Sequence, residues 1–127
     1  MEKETSGALT ENLKKGLTEL LVLQCLASRP MTICELVRTL DEQSHSICKI
    51  SYPYAVMYRL QDRGYIAEGG KRISDNRKRA YYRITALGVD RLEDMKREYT
   101  RFLSGMNMLF DYLDSVEEED SWKAGNI

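Results

Sequence analysis

Residues 71–85 read KRISDNRKRAYYRIT, and this stretch decides the fold that the sequence predicts. Ser74, Asp75 and Asn76 are turn-forming residues, and the segments on either side of them alternate between apolar and polar positions, as β-strands do. Six Lys and Arg side chains fall within residues 71–83, with only Asp75 as a counter-charge. Because like charges repel, the pattern predicts a β-hairpin whose cationic tip meets a polyanion.

Three helices are expected before the hairpin. The first covers residues 13–27, LKKGLTELLVLQCLA, whose apolar residues recur at helical spacing and then cover nearly the whole circumference, as in a buried helix. Pro30 ends this helix, because a proline disfavours the helical conformation in the residue before it. A capping box of Thr32 and Glu35 predicts the start of the second helix, which fades into the polar residues 41–46.

The third expected helix, residues 51–63, has two unlike faces. Ser51 is its predicted N-cap, Pro53 is tolerated in its first turn, and Gly64 is its predicted left-handed stop. Its apolar residues lie on one side, whereas Ser, Tyr and Arg side chains lie on the other. A polar and aromatic face of this kind predicts contact with solvent or with a partner.

A final helix is expected from Thr85, its predicted N-cap, to about Asp114 or beyond, a length of roughly 45 Å at 1.5 Å per residue. Its first turns, around Leu87 and Leu92, are expected to pack against the core, and the acidic tail at 115–127 is expected to fray.

The other apolar residues of this helix recur in heptads and form a stripe along one side. This stripe would be exposed to water in a monomer, which predicts a homodimer. The alternative is that the stripe packs against the chain's own helices. The predicted dimer-interface residues are Leu92, Met95, Tyr99, Phe102, Met106, Leu109 and Leu113.

The charge of the chain is unevenly distributed, although the net charge of its 127 residues is only −1. Residues 1–85 hold fourteen Lys and Arg against ten Asp and Glu, whereas residues 86–127 hold five against ten. This length fits one domain with an appended element. The uneven charge predicts that residues 1–85 bind a polyanion and that residues 86–127 have a different function.

Several classes of protein are not expected. The polar start of the chain and the short apolar run at 20–26 predict neither a signal peptide nor a transmembrane helix, so a cytoplasmic protein with no membrane partner is expected. The three cysteines form no C-x-x-C pair, which favours free thiols in a reducing compartment. His45 and Cys48 alone make no metal site, and a single His gives no convincing base beside a nucleophile. No metal, no cofactor and no catalytic residue is expected, and hence no enzyme.

Three helices followed by a basic hairpin are the layout of a winged helix-turn-helix, in which one helix enters the DNA major groove and the hairpin tip reaches the adjacent backbone or minor groove. The predicted fold class is mainly α with a small β-hairpin. Residues 1–85 are predicted to form the winged helix-turn-helix DNA-binding domain, and residues 86–127 the C-terminal dimerisation helix with its acidic tail. The predicted DNA-binding residues are Lys49, Ser51, Tyr52, Tyr54, Tyr58, Arg59, Arg72, Arg77, Lys78 and Arg79.

The predicted partner is double-stranded DNA. Arg59 has the guanidinium fork that can bond both O6 and N7 of a guanine. The two-fold symmetry of a homodimer requires a palindromic operator whose half-sites lie about one helical turn, roughly 34 Å, apart. The alternative is a winged-helix module that binds another protein and not DNA, which the modest net charge favours.

Three stretches of the sequence resemble the PadR family of bacterial transcriptional regulators. They are residues 13–27, residues 54–66, YAVMYRLQDRGYI, and residues 77–92, RKRAYYRITALGVDRL. They are similar to that family's first helix, to its recognition helix and to the end of its wing. The resemblance implies a dimeric repressor whose last helix is the dimerisation element.

The single long C-terminal helix is similar to that of the smaller PadR subgroup, some of whose members bind planar hydrophobic drugs at the dimer interface. A small hydrophobic effector is therefore a candidate partner. Met95, Met106 and Met108 could line its pocket, although methionines at such positions more often serve packing. The chain departs from the family at two places. Pro53 precedes Tyr54 where the family has a Tyr-Pro pair, and Trp122 lies in the tail, whereas the drug-binding relatives carry a Trp in the last helix.

Overall fold

The computed structural model describes the backbone of residues 3–119 and the side-chain environments of residues 7–116. Four helices and three short strands follow one another, and the strands form one antiparallel sheet in the order β1-β3-β2. This architecture confirms the predicted class, mainly α with a small β-hairpin. The elements are α1 Lys3–Ser28, β1 Met31–Thr32, α2 Ile33–Gln43, α3 Pro53–Asp62, β2 Ile66–Ser74, β3 Arg77–Ile84 and α4 Ala86–Glu119.

The chain divides into two compact units, Met1–Glu93 and Asp94–Ile127. The first unit contains α1, α2, α3, the sheet and the first turns of α4. The predicted functional division, DNA binding by 1–85 and dimerisation by 86–127, stays a prediction.

The first helix is longer than expected, because its polar N-terminal turns lack the apolar periodicity on which the prediction depended. Only its second half is buried: Val22 and Leu23 are fully buried, whereas Leu13 is exposed. The expectation of a buried helix from residue 13 onward was therefore wrong for its first turns. The helix ends at Ser28, ahead of Pro30, as predicted.

The capping box at the start of α2 is confirmed. The Glu35 amide donates to Thr32 Oγ1 at 3.2 Å, and the Thr32 amide donates to Glu35 Oε1 at 3.1 Å. Thr32 also belongs to β1, which the sequence did not predict. This strand is only two residues long, and it exists because Met31 and Thr32 pair with Tyr82 and Tyr81 of β3. A pairing partner so distant in sequence leaves no local signal.

The third helix begins one residue later than predicted. Its N-cap is Tyr52 and not Ser51, because Pro53 occupies the first helical position, where its missing amide hydrogen and fixed φ cost nothing. Its C-terminus is confirmed. Gly64 has a φ of +81° and donates to the Gln61 carbonyl, while the Tyr65 amide donates to the Leu60 carbonyl at 2.9 Å, which together form a Schellman motif.

The hairpin formed by β2 and β3, called the wing below, turns more tightly than expected. Asp75 and Asn76 alone form the turn, with φ values of +55° and +63°, as a type I′ turn requires. Ser74 is the last residue of β2 and is buried, so its prediction as a turn residue was wrong. The basic residues on both sides of the turn lie in paired strands, because the short turn lets the ladder continue to its end.

The last helix begins as predicted, since the Gly88 amide donates to Thr85 Oγ1 at 3.0 Å. A β-carbon at Gly88 would lie 2.0 Å from the Tyr65 carbonyl oxygen, so this close contact requires glycine. Leu92 is buried as expected, but Leu87 is about half exposed. The helix continues to Glu119, so residues 115–119, expected to fray, are helical. Trp122 and the rest of the predicted fraying tail lie outside the described residues.

Candidate nucleic-acid interface

Three exposed tyrosines lie on α3 and at its N-cap. Tyr52, Tyr54 and Tyr58 are 80%, 69% and 71% exposed, whereas Val56, Met57 and Leu60 are buried. The separation of faces expected from the sequence is therefore present. Each tyrosine offers water an apolar ring and a hydroxyl that can donate and accept hydrogen bonds, which suits contact with base edges and phosphates.

Two arginines at the end of α3 are tied to the first helix. Arg59 Nε lies 3.3 Å and Arg63 Nη1 lies 3.4 Å from the same carboxylate oxygen, Oε2 of Glu19. Arg59 is the predicted guanine reader, and its side chain is about half exposed. Because the ion pair uses Nε, the terminal nitrogens of Arg59 are the atoms that would meet a base. The sequence did not predict this tie, since Glu19 and Arg59 meet only after the helices pack.

A cleft of about 240 Å³ lies between α1 and the start of α3. Lys14 Nζ donates to the Lys49 carbonyl at 2.8 Å across this cleft and joins the two segments. Lys15 and the predicted phosphate contact Lys49 are both exposed at its edge, as is Ser51. The sequence prediction did not place Lys14 and Lys15 beside a cleft, because on an isolated helix they look like an ordinary solvated face. The lining residues are Glu11, Lys14, Lys15, Thr18, Lys49, Ile50, Ser51, Tyr52, Val56 and Arg59.

The basic residues of the wing are divided between its two faces. Directly opposed residues of paired strands share a face, so Arg72 lies beside Arg79, and Lys78 lies beside Ile73. Arg77 and Lys78 are exposed, as predicted for phosphate contacts, and so is Ile73. Arg79 is half-buried, and its Nε donates to the Ser74 carbonyl at 3.1 Å.

Arg72 is engaged within the protein. Its guanidinium forms a hydrogen-bonded ion pair with Glu35 of α2, donates to the Pro30 carbonyl at 3.0 Å, and lies 5.0 Å from the centre of the Tyr81 ring. The prediction of Arg72 as a DNA contact took no account of these partners, which come from three separate parts of the chain. The structure places Arg72 on the side of the wing that meets α2.

Glu35 is the common acceptor of this region. Besides Arg72 it accepts from the Thr32 amide and from Ser74 Oγ at 3.3 Å, and Arg29 lies 3.6 Å away. Burial by itself would raise the pKa of the Glu35 carboxyl, but the hydrogen bonds from Arg72 and Thr32 outweigh burial and lower the pKa below its ordinary value of 4.5. The lowered pKa means that ionised Glu35 stabilises the folded state.

Glu35→Gln is expected to lower the free energy of unfolding at neutral pH by about 1 kcal/mol, because the hydrogen bonds to a charged acceptor are weakened. In the wild type, ionised Glu35 stabilises the folded state fully at a pH above the pKa that its carboxyl has in the unfolded chain. This stabilisation is lost as the pH falls through the lower pKa of Glu35 in the folded state. The stability of Glu35→Gln should therefore fall less steeply on acidification. Urea unfolding at a series of pH values and fixed protein concentration measures this. The exposed Glu93→Gln is the control, and equal pH slopes for wild type and Glu35→Gln would contradict the assignment.

The second unit carries a large exposed apolar surface. Phe102 is 66% and Leu109 is 53% exposed, Tyr99 and Leu113 are also exposed, and Met95 and Met106 are partly exposed. Leu92 is 5% exposed within the single chain and belongs to the core of the first unit, which corrects its assignment to a dimer interface. Additional exposed apolar residues of α4 are Leu103, Met108, Phe110 and Tyr112.

Other kinds of site are not seen in the part of the chain that the structure describes. Among residues 3–119, no three His, Cys, Asp or Glu side chains come together as metal ligands would. In the same range, no helix combines the length and the apolar character needed to cross a bilayer. Cys25, Cys34 and Cys48 are free thiols, and burial raises the pKa of Cys25.

Comparison with known proteins decides the family. The model of the transcriptional regulator PadR-like family matches residues 22–94, which is more than half of the chain and covers α2, α3 and the wing. The chain belongs to the PadR-like family of transcriptional regulators. Members of this family regulate transcription and are not enzymes. The resemblance inferred from the sequence is thereby confirmed. Among curated proteins, none matches this PadR-like chain significantly.

Solved structures of transcriptional regulators share the fold. A PadR family transcriptional regulator from Eggerthella lenta superposes with a TM-score of 0.72 at 24% identity, covering 84% of this chain and 93% of that one. A PadR-like transcriptional regulator from Bacillus cereus superposes with a TM-score of 0.67 at 27% identity, covering 78% of this chain and 96% of that one. A transcriptional regulator from Clostridium thermocellum superposes with a TM-score of 0.68 at 20% identity, covering 76% of this chain and 96% of that one. The winged-helix fold therefore extends over most of this chain.

Proposed function

We propose that this PadR-like regulator is a homodimeric, cytoplasmic repressor that binds an inverted-repeat operator in double-stranded DNA. The proposal is carried by one observation: a helix with an exposed tyrosine and arginine face lies in the same compact unit as a hairpin with exposed cations. In winged-helix proteins such a helix enters the major groove, while the wing reaches the adjacent backbone. Residues 1–85 would be the DNA-binding part, and 86–127 the dimerisation part.

The roles of the individual residues follow from their exposure. Tyr54, Tyr58 and the terminal nitrogens of Arg59 would face base edges, with Ser51 and Tyr52 at the groove margin. Arg77, Lys78 and Lys49 would bind phosphates, because their side chains are exposed and phosphate contacts need only charge and reach. Arg79 would contribute a weaker phosphate contact, and Arg72 would act mainly by shaping the wing.

A second copy of the chain is the proposed cover for the apolar surface of α4. The apolar residues recur in heptads, the repeat by which helices pack against one another. The charges of this helix also suit self-association, because Lys and Arg cluster at 96–101, whereas Asp111 and Asp114 lie near its other end. Two antiparallel copies would bring these opposite charges together. The partly exposed Met95 and Met106 could line a site for a small hydrophobic effector in the dimer.

The second candidate function is a winged-helix module that binds protein. It is favoured by the internal ion pairs of two predicted DNA contacts, Arg59 with Glu19 and Arg72 with Glu35, which leave fewer cations for a polyanion. In this alternative the exposed tyrosines of α3 would meet an apolar partner surface, as tyrosines often do in protein interfaces.

Selection of bound sequences from a pool of random duplexes tests the proposed function. The expected result is a recovered inverted repeat whose half-site centres are separated by about 10 base pairs, the distance between successive major grooves on one side of the duplex. Recovery of a direct repeat or a single half-site would contradict the symmetric dimer. Failure to enrich any sequence would favour the protein-binding alternative.

A further inference from the structure

The wing is fastened to α2 by polar contacts at two levels. At its turn, Arg38 Nη2 lies 2.7 Å and 3.0 Å from the two carboxylate oxygens of Asp75. Lower down, Glu35 accepts from Arg72 and Ser74. Arg38 and Glu35 are three residues apart on α2 and therefore lie on the same side of this helix. Helix α2 therefore contacts both the turn and the strands of the wing.

Polar side chains join the outer part of the wing to α2 and to the residue that caps it. Thr32 is fully buried, and its Oγ1 lies 3.3 Å from Ser74 Oγ, which is also buried. Ile73, the large apolar residue in this part of the wing, is 69% exposed and pairs across the strands with Lys78. With Ile73 exposed to solvent, we attribute the position of the turn to the pair between Arg38 and Asp75.

Asp75 is an unexpected residue at the tip of a DNA-binding hairpin. Its carboxylate repels phosphates. The turn does not require this charge, because Asn adopts a positive φ equally well, as Asn76 does at the next position. The charge is instead used by Arg38, whose pKa is raised chiefly by the hydrogen bond and the charge of Asp75.

We infer that Arg38 and Asp75 are positioning residues for DNA binding: their ion pair holds the wing where Arg77 and Lys78 meet the backbone. The inference rests on the proposed function. A positioning role and a simple charge effect predict opposite changes in DNA affinity when the charge of Asp75 is removed. Removing the negative charge of Asp75 should strengthen binding if only electrostatics matters, but should weaken binding if the ion pair positions the wing.

Asp75→Asn is the decisive variant, because it keeps the turn chemistry and removes the ion pair. Affinity for a duplex bound by the wild type is measured against salt concentration, alongside Arg38→Ala and the double variant. We expect each of the three to bind about threefold more weakly, a size typical of exposed ion pairs, with no additive loss in the double variant. The slope of log affinity against log salt should also become shallower, since the wing cations meet fewer phosphates.

Two controls separate positioning from charge and from folding. Glu68→Gln removes an exposed negative charge from β2 outside the pair and should bind as well as the wild type or slightly better. Arg38→Lys can still pair with Asp75 and should retain most of the affinity. Thermal unfolding confirms that each variant is folded before its affinity is compared.

The outcomes are distinguishable. Equal or tighter binding by Asp75→Asn would overturn the inference, and if Arg38→Ala alone weakened binding, Arg38 would be a direct phosphate contact. Additive losses in the double variant would likewise contradict a shared role. If the wild type itself binds no duplex, the proposed function fails, and this failure is seen before any variant is measured.

Discussion

Phe102→Glu is expected to convert the proposed dimer to monomers. It should also weaken binding to a full inverted repeat by at least about 100-fold, because binding through two linked half-sites gives a gain of that order. Phe102 is the most exposed of the predicted interface residues. By two-fold symmetry the substitution would bury two carboxylates without partners in an apolar contact, which is strongly unfavourable. Sedimentation equilibrium gives the mass, and a titration of labelled duplex gives the affinity.

The matched control is Thr100→Glu, which introduces the same charge two residues away and therefore on nearly the opposite side of the helix. This variant should remain dimeric and bind as the wild type does. A Phe102→Glu protein that stays dimeric at micromolar concentration would show that the apolar surface of α4 is not the interface. A monomer with undiminished affinity would show that dimerisation is not needed for DNA binding.

The double substitution Arg77→Ala/Lys78→Ala is expected to reduce DNA affinity by about 30-fold at 0.15 M salt. It should lower the salt slope by about 3.6, because the two wings of the proposed dimer together lose four phosphate contacts and each lost contact forfeits about 0.9 released counterion. Both side chains are exposed and lie next to the turn of the wing. Since phosphates carry no sequence information, the loss should be alike for an operator and for a random duplex.

The control for this prediction keeps both charges of the wing. Arg77→Lys/Lys78→Arg should leave the salt slope nearly unchanged, because phosphate contacts need only charge and reach. A loss confined to the operator would mean that Arg77 or Lys78 reads bases. An unchanged slope in Arg77→Ala/Lys78→Ala would remove the wing from the DNA interface.

The local signals in the sequence were sufficient for most elements of the fold. The capping box of Thr32 and Glu35, the glycine stop at Gly64 and the cap at Thr85 each act within a few residues, so each could be recognised without knowing the tertiary structure. The separation of α3 into a buried and an exposed face followed from helical periodicity in the same way. Ser51 was misplaced as a cap because Pro53 permits either of two starting points until the backbone is known.

The rest depended on contacts between distant residues. The pairing of β1 with β3, the tie of Arg59 to Glu19 and the ion pair of Arg72 with Glu35 all join residues that are far apart in the chain. The sequence showed six cations in one stretch, but only the three-dimensional structure reveals which of them meet α2 and which are exposed. Composition can therefore predict a charged site, whereas the availability of each charge requires the packed structure.

The salt dependence of DNA affinity for the wild-type protein tests the central claim most directly, because it counts phosphates in contact with the dimer. Two wings and two copies of α3 should engage at least about six phosphates, so log affinity should fall with log salt with a slope of about −5 or steeper. Tight, steeply salt-dependent binding to a duplex is the predicted result. A slope near zero, or no binding to duplex DNA even at low ionic strength, would contradict a PadR-like regulator that binds DNA through α3 and the wing.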